Sequence, residues 1–342
     1  MLVKELTQIN GVSGDEGRVR DFITAQIAPY ADDITIDSIG NLIAFKKGTG
    51  DSPKKIALCA HMDEVGFILS QITDDGYLKF KPVGGIDERI LLSKRVVVGK
   101  NNIPGVIGIK AVHLRSPEER KVVVKQKDMY IDIGAKDKEE AQMHVSLGDY
   151  IAFDSEYTEL GGGKVKAKSA DDRIGCAILI ECMKKDYVND MYFCFTVQEE
   201  TGLKGAAVAA HRLELDCAFV IESTTAADVP NLQEHEYSTR LGEGPVITVM
   251  DRGSISNRTL NKYIFDLAKE KNIKYQLKQS IFGGNDARAF QSRGGSCATA
   301  AISLPCRYIH SPVSVFDMAD YEKMLALVKA IAENSWKLGG IL

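Results

Sequence analysis

The sequence predicts an α/β fold with a small antiparallel β domain inserted into it, on three observations. Apolar runs that suit strands covered on both faces alternate with segments of helical periodicity. Between about residue 67 and residue 163 the texture changes to short β-rich pieces separated by turn residues. At 342 residues the chain is also too long for one simple core, so two structural domains are the default expectation.

Ser13-Gly14-Asp15-Glu16 has the S-x-x-E spacing of a capping box. It predicts a helix that starts there, buries Val19, Phe22, Ile23 and Ile27, and stops near Pro29. A strand is expected around Asn41–Lys46. Lys55–Ala60 is continuously apolar after its first residue, as a doubly covered strand of a parallel sheet would be, and Met191–Val197, Cys217–Ile221 and Ala298–Ile302 read the same way. Helical spacing marks Ile174–Met183, Leu260–Ala268, and the last segment through Tyr321, Met324, Leu325 and Val328. Strands alternating with helices give an α/β sandwich.

Inside the insertion, Phe67–Ile72, Tyr77–Phe80, Arg95–Val98, Val106–Ile109, Lys121–Val124 and Tyr150–Phe153 read as short strands of an antiparallel barrel or sandwich. Asp74-Asp75-Gly76, Gly84-Gly85, Asn101-Asn102 and Pro104-Gly105 separate them, and Gly161-Gly162-Gly163 reads as a hinge back to the main domain. The predicted division is an α/β domain built from residues 1–66 and 164–342, with a β domain at 67–163 between its halves.

Composition narrows the function. The chain is 44% hydrophobic and 26% charged, and 43 basic residues stand against 47 acidic ones for a formal net charge of −4. Without a block of like charge, neither a nucleic-acid footprint nor a polybasic membrane patch is expected. The seven cysteines (59, 176, 182, 194, 217, 297 and 306) are odd in number, contain no C-x-x-C and sit mostly in apolar runs, which predicts reduced thiols. No signal-peptide core or membrane-length apolar stretch is read, so the expected location is the cytoplasm.

The chemistry sits where the apolar strands stop. His61-Met62-Asp63-Glu64 follows Lys55–Ala60 at once, Glu199-Glu200 follows the Met191–Gln198 run, Glu222 follows Cys217–Ile221, and Ala298–Ser303 leads through Leu304–Ile309 to His310. Ligand crevices in open α/β sheets lie beyond the carboxyl ends of the strands, so such residues converge although far apart in sequence. Ser169-Ala170-Asp171-Asp172-Arg173 adds two carboxylates at the start of a helix. Imidazole and carboxylate suit zinc, cobalt or manganese, and a carboxylate bridging two ions makes a two-metal clamp. Each element has a plainer reading when taken alone. His61 could be structural, Asp171-Asp172 a helix cap, Glu199-Glu200 solvated loop charge, and Glu222 the exposed end of a strand.

The same residues resemble the tetrahedral aminopeptidases, also called the glutamyl aminopeptidase or "cellulase M" family of metallopeptidases. The similarity runs almost end to end. It is carried by Gly11-Val-Ser-Gly, His61-Met-Asp-Glu-Val-Gly-Phe, Ala170-Asp171-Asp172-Arg173-Ile174-Gly175, Gln198-Glu199-Glu200-Thr-Gly-Leu-Lys-Gly-Ala, Gly283-Gly284-Asn285-Asp286 and Arg307-Tyr308-Ile309-His310-Ser311-Pro312. The resemblance implies a three-layer α/β/α di-zinc peptidase domain with an inserted small antiparallel β-barrel used for dimerisation. It implies two divalent ions per subunit, Zn2+ first and Co2+ or Mn2+ as alternatives. Asp171 would bridge them, His61 and Glu222 would complete one site, and Glu200 and His310 the other. Glu199 would be the general base, and Asp63 the carboxylate that orients the His61 ring. The implied partners are short peptides with a free N-terminus and further copies of the chain, in a homododecamer built from dimers.

Two departures from the family pattern stand out. Glu222 occupies a place usually held by Asp, with Asp228 as a substitute candidate, and Asn285 stands where Thr is usual. His113, His144, His211 and His235 are assigned to no metal. Two other reactions compete: endo-glucanase-type glycoside hydrolysis, which needs two carboxylates and no metal, and deacylase or carboxypeptidase action on the same di-metal fold. With 7% aromatic residues and a single Trp336, the chain is poorly equipped for a sugar-stacking cleft.

Overall fold

The computed structural model describes residues 1–292 and 294–340, so Arg293 and the last two residues of the predicted 164–342 segment lie outside the described residues. The strands, in chain order, are β1 Asp33–Ile36, β2 Leu42–Lys46, β3 Lys55–His61, β4 Gly66–Ile72, β5 Leu78–Val83, β6 Arg95–Val98, β7 Ile103–Gly108, β8 Tyr130–Asp132 and β9 Tyr150–Phe153. They continue as β10 Thr158–Glu159, β11 Lys164–Ala167, β12 Asp190–Thr196, β13 Cys217–Thr225, β14 Val246–Thr248, β15 Gln276–Leu277, β16 Ala298–Cys306 and β17 Ser314–Asp317. The α-helices are α1 Leu2–Gln8, α2 Gly17–Ile27, α3 Lys138–His144, α4 Ala170–Met183, α5 Lys204–Arg212, α6 Arg258–Glu270, α7 Ala287–Ser292 and α8 Met318–Glu333.

Eight strands form the main sheet in the order β1-β2-β12-β3-β13-β16-β14-β15. Its centre, β12, β3, β13 and β16, is parallel, which is why these segments read as unbroken apolar runs. Alternation divides each strand between two faces. Phe219 and Ile221 of β13 pack with Ile174, Ile178 of α4 and Leu327 of α8. Ala218 and Val220 face Ala206 and Ala209 of α5 and Phe290 of α7. Helices thus cover both faces, and the α/β/α layering of the sequence reading holds. Each such fully buried Leu, Ile or Phe side chain contributes roughly 1.5–3 kcal/mol.

A closed barrel, β4-β5-β8-β7-β6-β9, interrupts this domain, with every neighbouring pair antiparallel. Within its largely aliphatic core, Phe67 meets Phe80 and Phe153 edge-on, at centroid distances of 4.9 and 5.3 Å.

Three local expectations need correction. Ser13-Gly-Asp-Glu16 is not a capping box. Helix α2 starts at Gly17 with Glu16 as a cap residue that makes no side-chain cap bond, because Ser13 and Glu16 are engaged elsewhere (below). The helix then ends at Ile27, before Pro29. Lys121–Val124 forms no strand: β7 and β8 already pair and close the barrel, and Val122 and Val123 are left exposed. Finally, β13 does not stop at Ile221 but continues to Thr225, so Glu222 lies within the strand.

Candidate metal centre

Because β12, β3, β13 and β16 are adjacent and parallel, their carboxyl ends share one edge. His61 is the last residue of β3 and pairs with Thr196 of β12. The chain leaves β12 through Gln198 into the Glu199-Glu200 turn, while Glu222 stands on β13. Asp171 opens α4 with non-helical dihedrals, φ −85° and ψ 107°, and His310 lies beyond β16. Ser169 (φ 45°), Gln198 (φ 54°), Tyr308 (φ 63°) and His310 itself (φ 58°) adopt left-handed conformations that non-glycine residues disfavour. Three of the five segments that deliver donors thus turn sharply at the site, a pattern typical of functional positions.

The structure brings together all five metal-type residues named from the sequence. His61 Nε2 lies 3.3 Å from Asp171 Oδ1 and 3.4 Å from Glu222 Oε1. His310 Nε2 lies 3.5 Å from Asp171 Oδ2 and 3.2 Å from Glu200 Oε2. Each histidine thus faces Asp171 and one glutamate, and the two triads overlap further because a Glu200 oxygen also lies within 4.8 Å of a His61 nitrogen. Asp172 also approaches His61 and Glu222. Its carboxylate is already used, however, accepting from the backbone N–H of Gly175 (3.0 Å) and of His61 (3.3 Å).

Both histidines are oriented from behind. His61 Nδ1 sits 3.0 Å from the Asp63 backbone carbonyl and 3.4 Å from Asp63 Oδ1. His310 Nδ1 sits 3.0 Å from the carbonyl of Gly85. A proton on each Nδ1 leaves each Nε2 lone pair aimed at the carboxylates, the tautomer a metal ligand requires. The Asp63 carboxylate does most of its work elsewhere. It accepts from the Ser13 hydroxyl (2.5 Å) and from the backbone N–H of Glu199 (3.0 Å) and Glu200 (3.2 Å), so it fixes the turn that presents both glutamates.

Electrostatically the cluster is dominated by crowded carboxylates, which raise the proton affinity of both histidines. Burial, joined by repulsion from Asp171, raises Glu200 to about 8, and burial raises Glu222 to about 7 against the pull of His61. Burial also lifts Glu199 well above the ordinary carboxylate range. Burial pulls His310 down, but Asp171 and Glu200 outweigh it and bring it to about 9. Crowded carboxylates that bind protons this readily, facing two imidazole Nε2 atoms whose protons a cation would displace, are a donor set that divalent cations suit. The residues fit the implied metals.

Several supporting residues carry no local sequence signal. Arg173 is fully buried and donates to the carbonyls of Met62 (2.7 Å), Leu6 (2.8 Å) and Ile9 (2.8 Å), tying α4 to the segment after His61. Lys168 donates to both oxygens of buried Glu64, at 2.7 and 2.8 Å. Glu16 accepts from the Gln198 N–H at 3.1 Å. Asp228, the substitute ligand candidate, is instead held by Arg307 Nε (2.8 Å) and Nη2 (2.7 Å) and braces the turn before His310. Asn285 is buried between loops, donating to Asp251 (3.2 Å) and accepting from Ala287 N–H (3.0 Å).

An α/β/α domain with paired His and carboxylate donors at its strand ends and an inserted antiparallel barrel defines a class, the metal-dependent peptidases of this fold. Residues 40–327 match the M42 glutamyl aminopeptidase family, and the chain belongs to that family. It is 32% identical to a lysyl aminopeptidase of Pyrococcus furiosus over 97% of this chain and 96% of that one. The Pyrococcus horikoshii TET1 peptidase, described as assembling into a tetrahedron or a large octahedral shell, superposes with a TM-score of 0.87 at 38% identity, covering 97% and 98% of the two chains. A Thermotoga maritima structure described as an endoglucanase superposes with a TM-score of 0.82 at 41% identity, covering 98% and 97%. The protein is accordingly an enzyme, an aminopeptidase that hydrolyses peptide bonds. No helix among the described residues is long and apolar enough to cross a membrane.

Proposed function

We propose that the protein removes N-terminal residues from short peptides at two divalent ions, zinc or alternatively cobalt or manganese. His61, Asp171 and Glu222 would hold one ion, and His310, Asp171 and Glu200 the other. Bound there, the ions would supply Lewis acidity toward the scissile carbonyl and lower the pKa of the attacking water. The chain does the rest. Asp171 sets the separation of the two triads, Gly85 and Asp63 lock the imidazole tautomers, and Asp63 aims Glu199. Glu199 accepts the proton of the attacking water and passes it to the leaving amine, a role that its raised proton affinity suits.

The observation that carries this reading is the sharing of Asp171 by two His–carboxylate triads. Its test compares free-amine aminoacyl nitroanilides with their N-acetylated forms after reconstitution with each metal, with and without EDTA. Cleavage of the free-amine forms only, abolished by EDTA, is expected. Turnover of acetylated substrates would instead support a deacylase, and release of free amino acids from peptide C-termini a carboxypeptidase. The T. maritima relative's description favours glycoside hydrolysis as a second reading; EDTA-resistant cleavage of carboxymethyl cellulose would support it.

Residues 67–163 are proposed as a dimerisation domain, from which a homododecamer of dimers is built. Exposed Val106, Val112, Leu114, Val122 and Val123 on this domain support an apolar contact. Sedimentation velocity tests it: a dodecamer is expected, and a monomer contradicts it. The cytoplasm is the proposed location, supported by seven cysteines that are all unpaired.

A further inference from the structure

A cleft of about 680 Å³ runs between the barrel and the catalytic domain, within the roughly 300–1,000 Å³ range of small-ligand sites. One wall is the turn after β16, with Tyr308, His310 and Pro312. The other is the chain between β5 and β6, with Ile90 and Lys94. His310 and Ser311 also line the recess that holds Asp171 and Glu200, so the cleft opens on the His310 side of the metal-type cluster.

Both walls are fixed. The Ser93 N–H donates to the Ile107 carbonyl and the Lys94 carbonyl accepts from the Ile107 N–H, each at 2.9 Å, which ties the base of Lys94 to β7. Across the cleft, Asp228 holds Arg307, and the Ser311 hydroxyl donates to the Val313 carbonyl at 2.6 Å. The charges along the cleft are unevenly matched. Asp87 is paired with Arg89, and Arg95 with Asp154. Among the described residues the half-buried Lys94 ammonium has no ion pair and no hydrogen bond. The cleft therefore offers apolar surface, one unmatched cation, and an end that opens on the cluster.

Building on the aminopeptidase reading above, we propose that this cleft receives the part of the peptide beyond the scissile bond, and that Lys94 binds its C-terminal carboxylate. Ile90, Tyr308 and Pro312 give the side chains of that part an apolar surface. An ammonium on a flexible four-carbon stem forms a charge-assisted hydrogen bond with a terminal carboxylate whatever the sequence before it. Because the base of Lys94 is fixed, the contact rewards one peptide length and makes no choice of N-terminal residue. A C-terminal amide leaves the ammonium without its charge partner.

The test measures kcat/KM of the zinc-reconstituted enzyme for alanine peptides of two to five residues, each as the free acid and as the C-terminal amide. The wild type is compared with Lys94→Met and Lys94→Arg. At one length the wild type should favour the acid by about tenfold or more, Lys94→Met should bring that ratio near one, and Lys94→Arg should keep part of it. Because the ratio is taken within each variant, a partly misfolded preparation leaves it intact. In parallel, calorimetry measures the binding of N-acetylated alanine peptides of the same lengths as acids and amides. The wild type should bind the acid about tenfold more tightly at one length, and Lys94→Met should lose the difference. An acid-to-amide ratio near one at every length, or a preference that Lys94→Met retains, overturns the proposal. If no free-amine peptide is cleaved, the aminopeptidase reading fails, and the calorimetry still decides the role of Lys94.

Discussion

Asp171 faces two histidines with different oxygens, Oδ1 at 3.3 Å from His61 Nε2 and Oδ2 at 3.5 Å from His310 Nε2. A group shared in this way fails on both sides at once. Asp171→Ala should lose both ions and at least ~10²-fold in activity, whereas His310→Ala should keep the ion on the His61 side. Metal content of dialysed protein checks this, and equal losses in the two variants contradict it.

Glu199 is half-buried beside the cluster yet belongs to neither triad, and its N–H is held by Asp63. Glu199→Gln keeps the shape and removes the base. Metal content should stay at the wild-type level while turnover falls by about 10²–10⁴-fold. Near-normal turnover would remove Glu199 from the mechanism.

Asp286 supplies a pH-dependent test away from the donor triads. Burial raises its carboxyl to about 6, although the Thr196 hydroxyl pulls the other way. An acid whose folded pKa is raised stabilises the fold most below its unfolded pKa, and this contribution is lost as pH rises through about 6. Asp286→Asn cannot ionise. In EDTA, its melting temperature relative to wild type should therefore climb between about pH 4 and 7, by the equivalent of at most ~3 kcal/mol. A difference independent of pH contradicts the assignment.

The Asp228–Arg307 pair braces the turn that ends in His310. Asp228→Asn removes its charge from a partly buried pair held by two Arg307 bonds, at a stability cost on the order of 1–3 kcal/mol. Affinity for the ion on the His310 side should also weaken by about tenfold, with the His61 side unchanged. Competition titration with a zinc chelator measures both.

How much of this was legible follows from the range of each interaction. His61, Glu200 and Glu222 announce themselves because buried parallel strands are unbroken apolar runs, and a charged residue at their end is conspicuous. The hold of Gly85 on His310 was not readable, since it is a backbone carbonyl from a connection 225 residues away. Ser13 and Glu16 misled for the same reason: their spacing suits a helix cap, but tertiary contacts with Asp63 and Gln198 take them instead. Lys121–Val124 has strand composition but finds no free edge on a closed barrel. Arg173 reads as an ordinary helical cation and only in three dimensions becomes the tie between α4 and the segment after His61.

The most direct measurement is anomalous diffraction at the zinc edge from crystals of the reconstituted enzyme. Two peaks flanking Asp171 are expected, one against His61 and Glu222 and the other against His310 and Glu200. A single coordinatively closed peak, or full activity with no peak at Asp171, would contradict it.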